Sequence, residues 1–391
     1  MSDDMMESSG QTLARAGDFG RRVRTVTLHE DWAPLEKVWR DLEATGHCTV
    51  FQTYDWVAAW YRTAIRFKFA TPLIVTVADE AGIVWILPLC RHRRMGMTFV
   101  SFADLAVSDY AGPVMARDDR IAPEERPQVL AAIRKALPRC DMIHFQKLPL
   151  QIEGRPNPLL QLGPTVAMRE SCYGIEVKRP WAELSKDIMQ SRLRSTVRQQ
   201  KKKIAAHGAL TLEHSSDPVA ITKAMDELME MRKGRFERIG REDTPEKWRS
   251  FYYEVSQDPQ RHLNVSITTL RVGGTPIAAC FGLMRGRAYH VVMPTFAAEE
   301  WEAFRPGMLM FDAMLEEFGP QTGFDGFFDF TIGDEPYKAR FGATPSPLME
   351  YMSPKSLLGA AAHVYWRVKA SRRHRVADQK GASDQGDPPA A

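Results

Sequence analysis

Apolar positions fall three and four apart over residues 32–44, where Leu35, Val38, Trp39 and Leu42 line one side, and a similar run covers 55–67. This spacing predicts amphipathic helices. The runs 73–78 and 83–89 flank Asp79-Glu80-Ala81-Gly82 and read as a hairpin. A helix over 123–137 and a strand over 142–145 follow, and the Gly- and Pro-rich stretch 154–164 reads as a linker or long loop. The pattern then restarts. Helices over 217–236 and 246–256 precede three runs, 265–272, 275–284 and 287–294, joined at Gly273-Gly274 and Arg285-Gly286. Alternating runs joined by short Gly turns predict an antiparallel meander. A helix over 307–318 and a strand over 325–330 complete the order, with no clear internal sequence repeat.

A chain of 391 residues, 44% hydrophobic, is longer than one typical domain. The pattern divides it into a disordered start (1–24), an amino-terminal half (25–165), a carboxyl-terminal half (166–352), and a basic helix with a disordered tail (353–391). The acidic, polar start is unlike a signal peptide. No apolar run approaches the ~20 residues of a membrane span. Five cysteines stand apart at 48, 90, 140, 172 and 280 without a Cys-x-x-Cys pair, which favours neither a zinc site nor a disulfide framework and suits a reducing cytoplasm. A net charge of +3 argues against a dedicated nucleic-acid binder.

The richest chemistry lies in 304–342. Arg305-Pro306-Gly307 opens an apolar helix, whose free backbone N–H groups at the positive dipole end suit a phosphate. The strand Phe327-Phe328-Asp329-Phe330 follows, then the polar loop Gly333-Asp334-Glu335-Pro336-Tyr337-Lys338. Pro-Gly alone better suits a helix merely packed on a sheet, and it is the two segments together, in this order, that point to a site.

Arg305-Pro306-Gly307, Asp329-Phe330 and Gly333-Asp334-Glu335-Pro336-Tyr337-Lys338-Ala339-Arg340-Phe341-Gly342 resemble the carboxyl half of a GNAT-superfamily acyltransferase. They resemble more closely the CelD-like branch named for cellulose biosynthesis, similar in architecture to Fem-type transferases. Phe51-Gln52-Thr53-Tyr54-Asp55-Trp56 and Ser108-Asp109-Tyr110 resemble two further signatures of that branch. The likeness spans roughly residues 25–352. One departure stands out: the usual pyrophosphate loop, Arg/Gln-x-x-Gly-x-Gly/Ala, is reduced to Gly307.

The resemblance implies a mixed α/β (α+β) fold of tandem GNAT-like halves, each a mixed sheet flanked by helices. It implies an acyl-CoA-dependent N-acyltransferase with acetyl-CoA as co-substrate, no metal, and a small-molecule or glycan amine as acceptor. Two alternatives stand beside it: a non-catalytic accessory protein of exopolysaccharide synthesis, and a Fem-like aminoacyltransferase. Arg305, Pro306, Gly307, Met308, Leu309 and Lys338 are the cofactor-binding candidates. Tyr337 is the candidate general acid, and Asp329 and His290 are candidates for base or acceptor anchor. Asp334 and Arg198 are candidates for substrate contact. Each has a plain structural alternative: a packing tyrosine, a capping carboxylate, a strand histidine, a solvated cation. Arg198 belongs to a basic helix over 190–207, with Arg192, Arg194, Lys201, Lys202 and Lys203 around a stripe of Leu193, Val197 and Ile204. The segment 357–375, with Tyr365 and Trp366 beside Arg367 and Lys369, is either a plain terminal helix or a contact with an anionic membrane surface.

Overall fold

The computed structural model describes residues 13–19 and 22–366, apart from 105, 119, 216, 258–262 and 298. The chain begins with β1 (Leu13–Phe19) and β2 (Arg22–His29), then α1 (Glu36–Thr45) and α2 (Tyr54–Arg66). The strands β3 (Ala70–Asp79), β4 (Gly82–Arg94), β5 (Met97–Phe102) and β6 (Val114–Met115) lead to α3 (Arg126–Ala136) and β7 (Met142–Pro149). Short β8 (Gln151–Ile152) and β9 (Arg155–Pro156) precede β10 (Thr165–Val177), α4 (Trp181–Ile188) and α5 (Ser191–Ile204). Next come β11 (Leu210–Ser215), α6 (Pro218–Arg238), α7 (Glu246–Gln257), β12 (Asn264–Val272), β13 (Thr275–Arg285) and β14 (Ala288–Phe296). The chain continues through α8 (Pro306–Gln321), β15 (Gly326–Ile332), α9 (Pro336–Arg340) and β16 (Thr344–Pro354).

The same path is traced twice. In the first half β2 leads through α1 and α2 into the meander β3–β4–β5, then through α3 to β7, which lies parallel to β5. In the second half β11 leads through α6 and α7 into β12–β13–β14, then through α8 to β15, which lies parallel to β14. The halves then exchange strands. β10, which follows β7, pairs with β15; β16, which follows β15, pairs with β7; and β10 and β16 pair with each other. One mixed sheet of fourteen strands results. Each half contributes a mixed sheet flanked by helices, and the exchanged strands join the two into one by satisfying what would otherwise be two open edges.

Alternation along the strands sorts the core. Ala279, Phe281 and Leu283 of β13 face one side, and Ala278 and Cys280 face the other. The first side is covered by helices from both halves, with Trp56 of α2 edge-on to Phe251 of α7 at 4.8 Å. The opposite side of the second half is covered by α4, α5 and α8. In α5, Leu193, Val197 and Ile204 are the buried stripe, as their spacing predicts.

Two further expectations change. Part of the supposedly disordered start is ordered, since β1 pairs with β2 from Leu13↔Leu28 to Phe19↔Arg22; residues 1–12 lie outside those described. The stretch 154–164 is a packed turn, where Asn157 caps Pro158–Gln161 and Leu159 and Leu162 are buried.

Candidate functional site

Phe328 and Phe330 of β15 point into the core under α8, which sends Asp329 to the opposite side. The parallel register sets Asp329 against His290 of β14. Pairing stops there, although β14 runs on to Phe296 and β15 to Ile332. A bulge contributes: Phe281 opposes Met293 while Gly282 opposes Val291, so Val292 is an extra residue and bends β14. The two strands part just beyond the Asp329–His290 pair.

Both side chains are buried, Asp329 at 3% and His290 at 8% exposure. His290 Nδ1 lies 2.9 Å from Asp329 Oδ2. The Tyr110 hydroxyl donates to the same carboxylate, 2.9 and 2.8 Å from its oxygens, and the Thr331 N–H donates to Oδ1 at 2.8 Å. An acceptor-only carboxylate at Nδ1 puts the imidazole proton there and leaves the Nε2 lone pair available. Nε2 has no hydrogen-bond partner among the described residues. Burial and the facing Asp329 push the Tyr110 phenol far above its ordinary value, so it stays a donor.

The first half supplies Tyr110 and holds it. Gln52 Nε2 donates to Tyr110 O at 2.9 Å, and Trp56 Nε1 donates to Ser108 Oγ at 2.9 Å. The Phe51 ring lies 5.8 Å from that of Tyr110 and 6.1 Å from that of His290. The motifs 51–56, 108–110 and 327–330 thus converge on one place. Tyr110 joins this candidate site through Asp329, a contact that its motif in the sequence does not reveal.

Asp109, next in the chain, lines a cavity of about 280 Å³ with Arg232 of α6, Trp248 and Tyr252 of α7, and Val292 and Met293 of β14. Burial pushes the Asp109 carboxyl up to about 6, against the opposing pull of Lys147.

Tyr337 lies on the α8 side of the sheet. Its ring stacks on Phe311 at 5.4 Å, and its hydroxyl makes no hydrogen bond to a described residue. Burial raises its phenol, with Glu335 adding to the effect, and Arg235 of α6 is a charged neighbour. Lys338 is neither a surface lysine nor open to phosphate. It is 2% exposed, and its Nζ donates to Thr331 O at 3.2 Å and Ile332 O at 2.9 Å while pairing with Glu335 at 3.0 Å. Three protons meet three acceptors. Asp334 is also engaged, accepting from Ser171 N at 3.1 Å and the Tyr173 hydroxyl at 3.2 Å, which braces β10.

At the start of α8, Pro306 has no N–H, and those of Met308 and Leu309 reach Arg305 O at 3.0 and 3.3 Å. Among these four residues only the Gly307 N–H is left open, with the exposed Arg305 side chain next to it. Arg305 adopts the left-handed conformation at φ 56°, uncommon for a side chain of its size. A Cβ on Gly307 would stand 3.3 Å from the Phe296 ring. Pro306 and Leu309 are buried as anchors of the turn. Arg198 is elsewhere, exposed at a groove of about 520 Å³ between α4, α5 and α8, and not beside Asp329.

Residues 191–339, from α5 to α9, match the family described as acetyltransferase (GNAT) domain. The chain therefore carries a GNAT acyltransferase domain. Three solved structures share the wider fold. FemX superposes with a TM-score of 0.55 at 12% identity, over 83% of this chain and 97% of its own. A conserved protein of unknown function from Bacteroides thetaiotaomicron gives 0.51 at 12%, over 84% and 99%. The C-terminal domain of a protein named as a lysylphosphatidylglycerol synthetase, from Agrobacterium fabrum, gives 0.50 at 14%, over 86% and 95%. No curated protein matches the chain in sequence. Among the described residues no helix is long and apolar enough to cross a membrane.

Proposed function

We propose that this acyltransferase moves an acyl group, acetyl in the first instance, from acyl-CoA to the nitrogen of an amine acceptor, with His290 as general base. The observation that carries the reading is the Asp329–His290 pair at 2.9 Å, placed where β14 and β15 part. Asp329 fixes the imidazole, and Nε2 takes the proton that the amine loses on attack. Tyr110 and the Thr331 N–H hold Asp329 in turn. The donor supplies an acyl group already activated as a thioester. The N–C bond forms and the C–S bond breaks. Of the two protons an ammonium gives up, one ends on the thiol and one in solvent. Tyr337, kept protonated by burial, is the proton source for the thiolate. The Gly307 N–H, the positive end of α8 and Arg305 suit the donor's pyrophosphate.

A halves boundary near residue 165 belongs to the same proposal, as does a cytoplasmic location, which suits five cysteines that are all free thiols. The link to the CelD-like branch and polysaccharide synthesis rests on the sequence resemblance. Membrane contact through 357–375 draws on exposed Leu357, Leu358 and Val364 in the helical stretch 357–366; residues 367–375 lie outside those described. The test of function is thiol release from acetyl-CoA in the presence of amines. No release with any amine, from folded protein, would remove the acyl-CoA reading.

A further inference from the structure

Arg232 and Asp109 line the same small cavity, yet neither forms an ion pair with a described residue. Arg232 spends its Nε on Thr244 Oγ1 at 2.8 Å and lays its guanidinium over the Phe236 ring at 4.4 Å. The other carboxylate nearby, Asp243, is taken by Arg249 at 2.8 Å. Burial lowers the Arg232 guanidinium from its ordinary value, as for a cation short of a partner. Glu242 stands exposed at the rim. Asp109, in the same lining, is next to Tyr110 in the chain and beside Thr331 and Asp329. Two opposite charges kept apart within one pocket are costly unless a ligand completes both.

We infer that the acceptor is a small zwitterion, an amine that also bears a carboxylate or phosphate, with its anionic group on Arg232 and its ammonium at Asp109. This rests on the acyl-transfer reading for the fate of the amine, but not for the binding. Guanidinium matches either oxyanion through paired N–H donors. Asp109 receives the ammonium on the Asp329 side, and the flat walls of Trp248 and Tyr252 suit the intervening carbon chain. A cavity of about 280 Å³ limits the ligand to amino-acid size.

The test is calorimetric binding to the full-length protein without donor. The probes are L-amino acids and O-phosphoethanolamine, each matched with the amine that lacks the acid group. At least one acid-bearing probe is expected to bind tenfold or more tightly than its match, and the stronger series distinguishes carboxylate from phosphate. Arg232→Gln is expected to erase that preference, and Arg232→Lys to keep part of it if the glutamine variant does not fold. Equal binding of matched probes, binding of none, or a preference that survives in folded R232Q overturns the inference. Zwitterion binding without thiol release from acetyl-CoA would sink the donor reading and leave this site standing. Transfer to plain amines with no acid preference would do the reverse.

Discussion

The Tyr110 hydroxyl lies 2.9 and 2.8 Å from the two carboxylate oxygens of Asp329, a residue 219 positions further along the chain. That contact joins the loop after β5 in one half to the parallel strand of the other. Tyr110→Phe removes the hydroxyl and leaves a buried acceptor short of a donor, an expected loss of about 1–3 kcal/mol in stability. Urea unfolding reads it as a lowered midpoint, and turnover should fall with it as Asp329 and His290 lose their register. An unchanged midpoint would make the contact incidental.

Lys338 separates a structural role from phosphate binding. Lys338→Ala leaves the Thr331 and Ile332 carbonyls without their donor, at a cost of about 1–3 kcal/mol. Affinity for acetyl-CoA in the folded variant should stay at the wild-type level. A selective loss of affinity with stability intact would return Lys338 to the cofactor site.

Gly307→Glu adds both a negative charge and a side chain at a position already close to Phe296. Acetyl-CoA affinity should drop more than tenfold, which is above ~1.4 kcal/mol. Calorimetry on the folded variant decides it, and an unchanged Kd would place the pyrophosphate elsewhere.

Asp109 gives a pH signature. Its carboxyl is raised from 3.8 to about 6, so the folded state keeps a proton that the unfolded state releases in that window. Folded protein then binds more protons than unfolded, and stability from this group falls as pH rises through the window. Asp109→Asn should remove the fall, so its melting temperature relative to wild type should improve from pH 4 to pH 7. Lys147, Lys338 and Asp329 are the charges that face it. A difference in melting temperature that is flat with pH would contradict the assignment.

Much of the fold was legible because it is written in local periodicity. The stripe of α5 and the meander β12–β14 are clear in the spacing of their apolar residues. The strand β16 was not, because Pro345 and Pro347 argue against a central strand, yet they sit opposite Tyr173 and Ser171 of β10. Exchange of strands between halves leaves no local trace at all. At the site, Asp329 and His290 could each be nominated from residue type and position. Their pairing needs the parallel register of β14 with β15, and Tyr110 needs a loop docked from the other half. The carbonyl partners of Lys338 are not legible locally, because the short α9 packs Tyr337 on Phe311 and turns the next side chain under the end of β15.

Tyr337→Phe tests the proton source. General acids typically contribute ~10²–10⁴-fold, so kcat should fall by that order while acetyl-CoA affinity holds. Full turnover would assign the ring to packing against Phe311 alone.

The most direct test of the account is the kcat of His290→Gln in the acetyl-CoA thiol-release assay, with an amine that the wild-type protein accepts. Glutamine can keep a hydrogen bond to Asp329 but cannot take up a proton at the position of Nε2. The account predicts a folded protein with unchanged acetyl-CoA affinity and turnover reduced by ~10²–10⁴-fold. Wild-type turnover in that variant would contradict it.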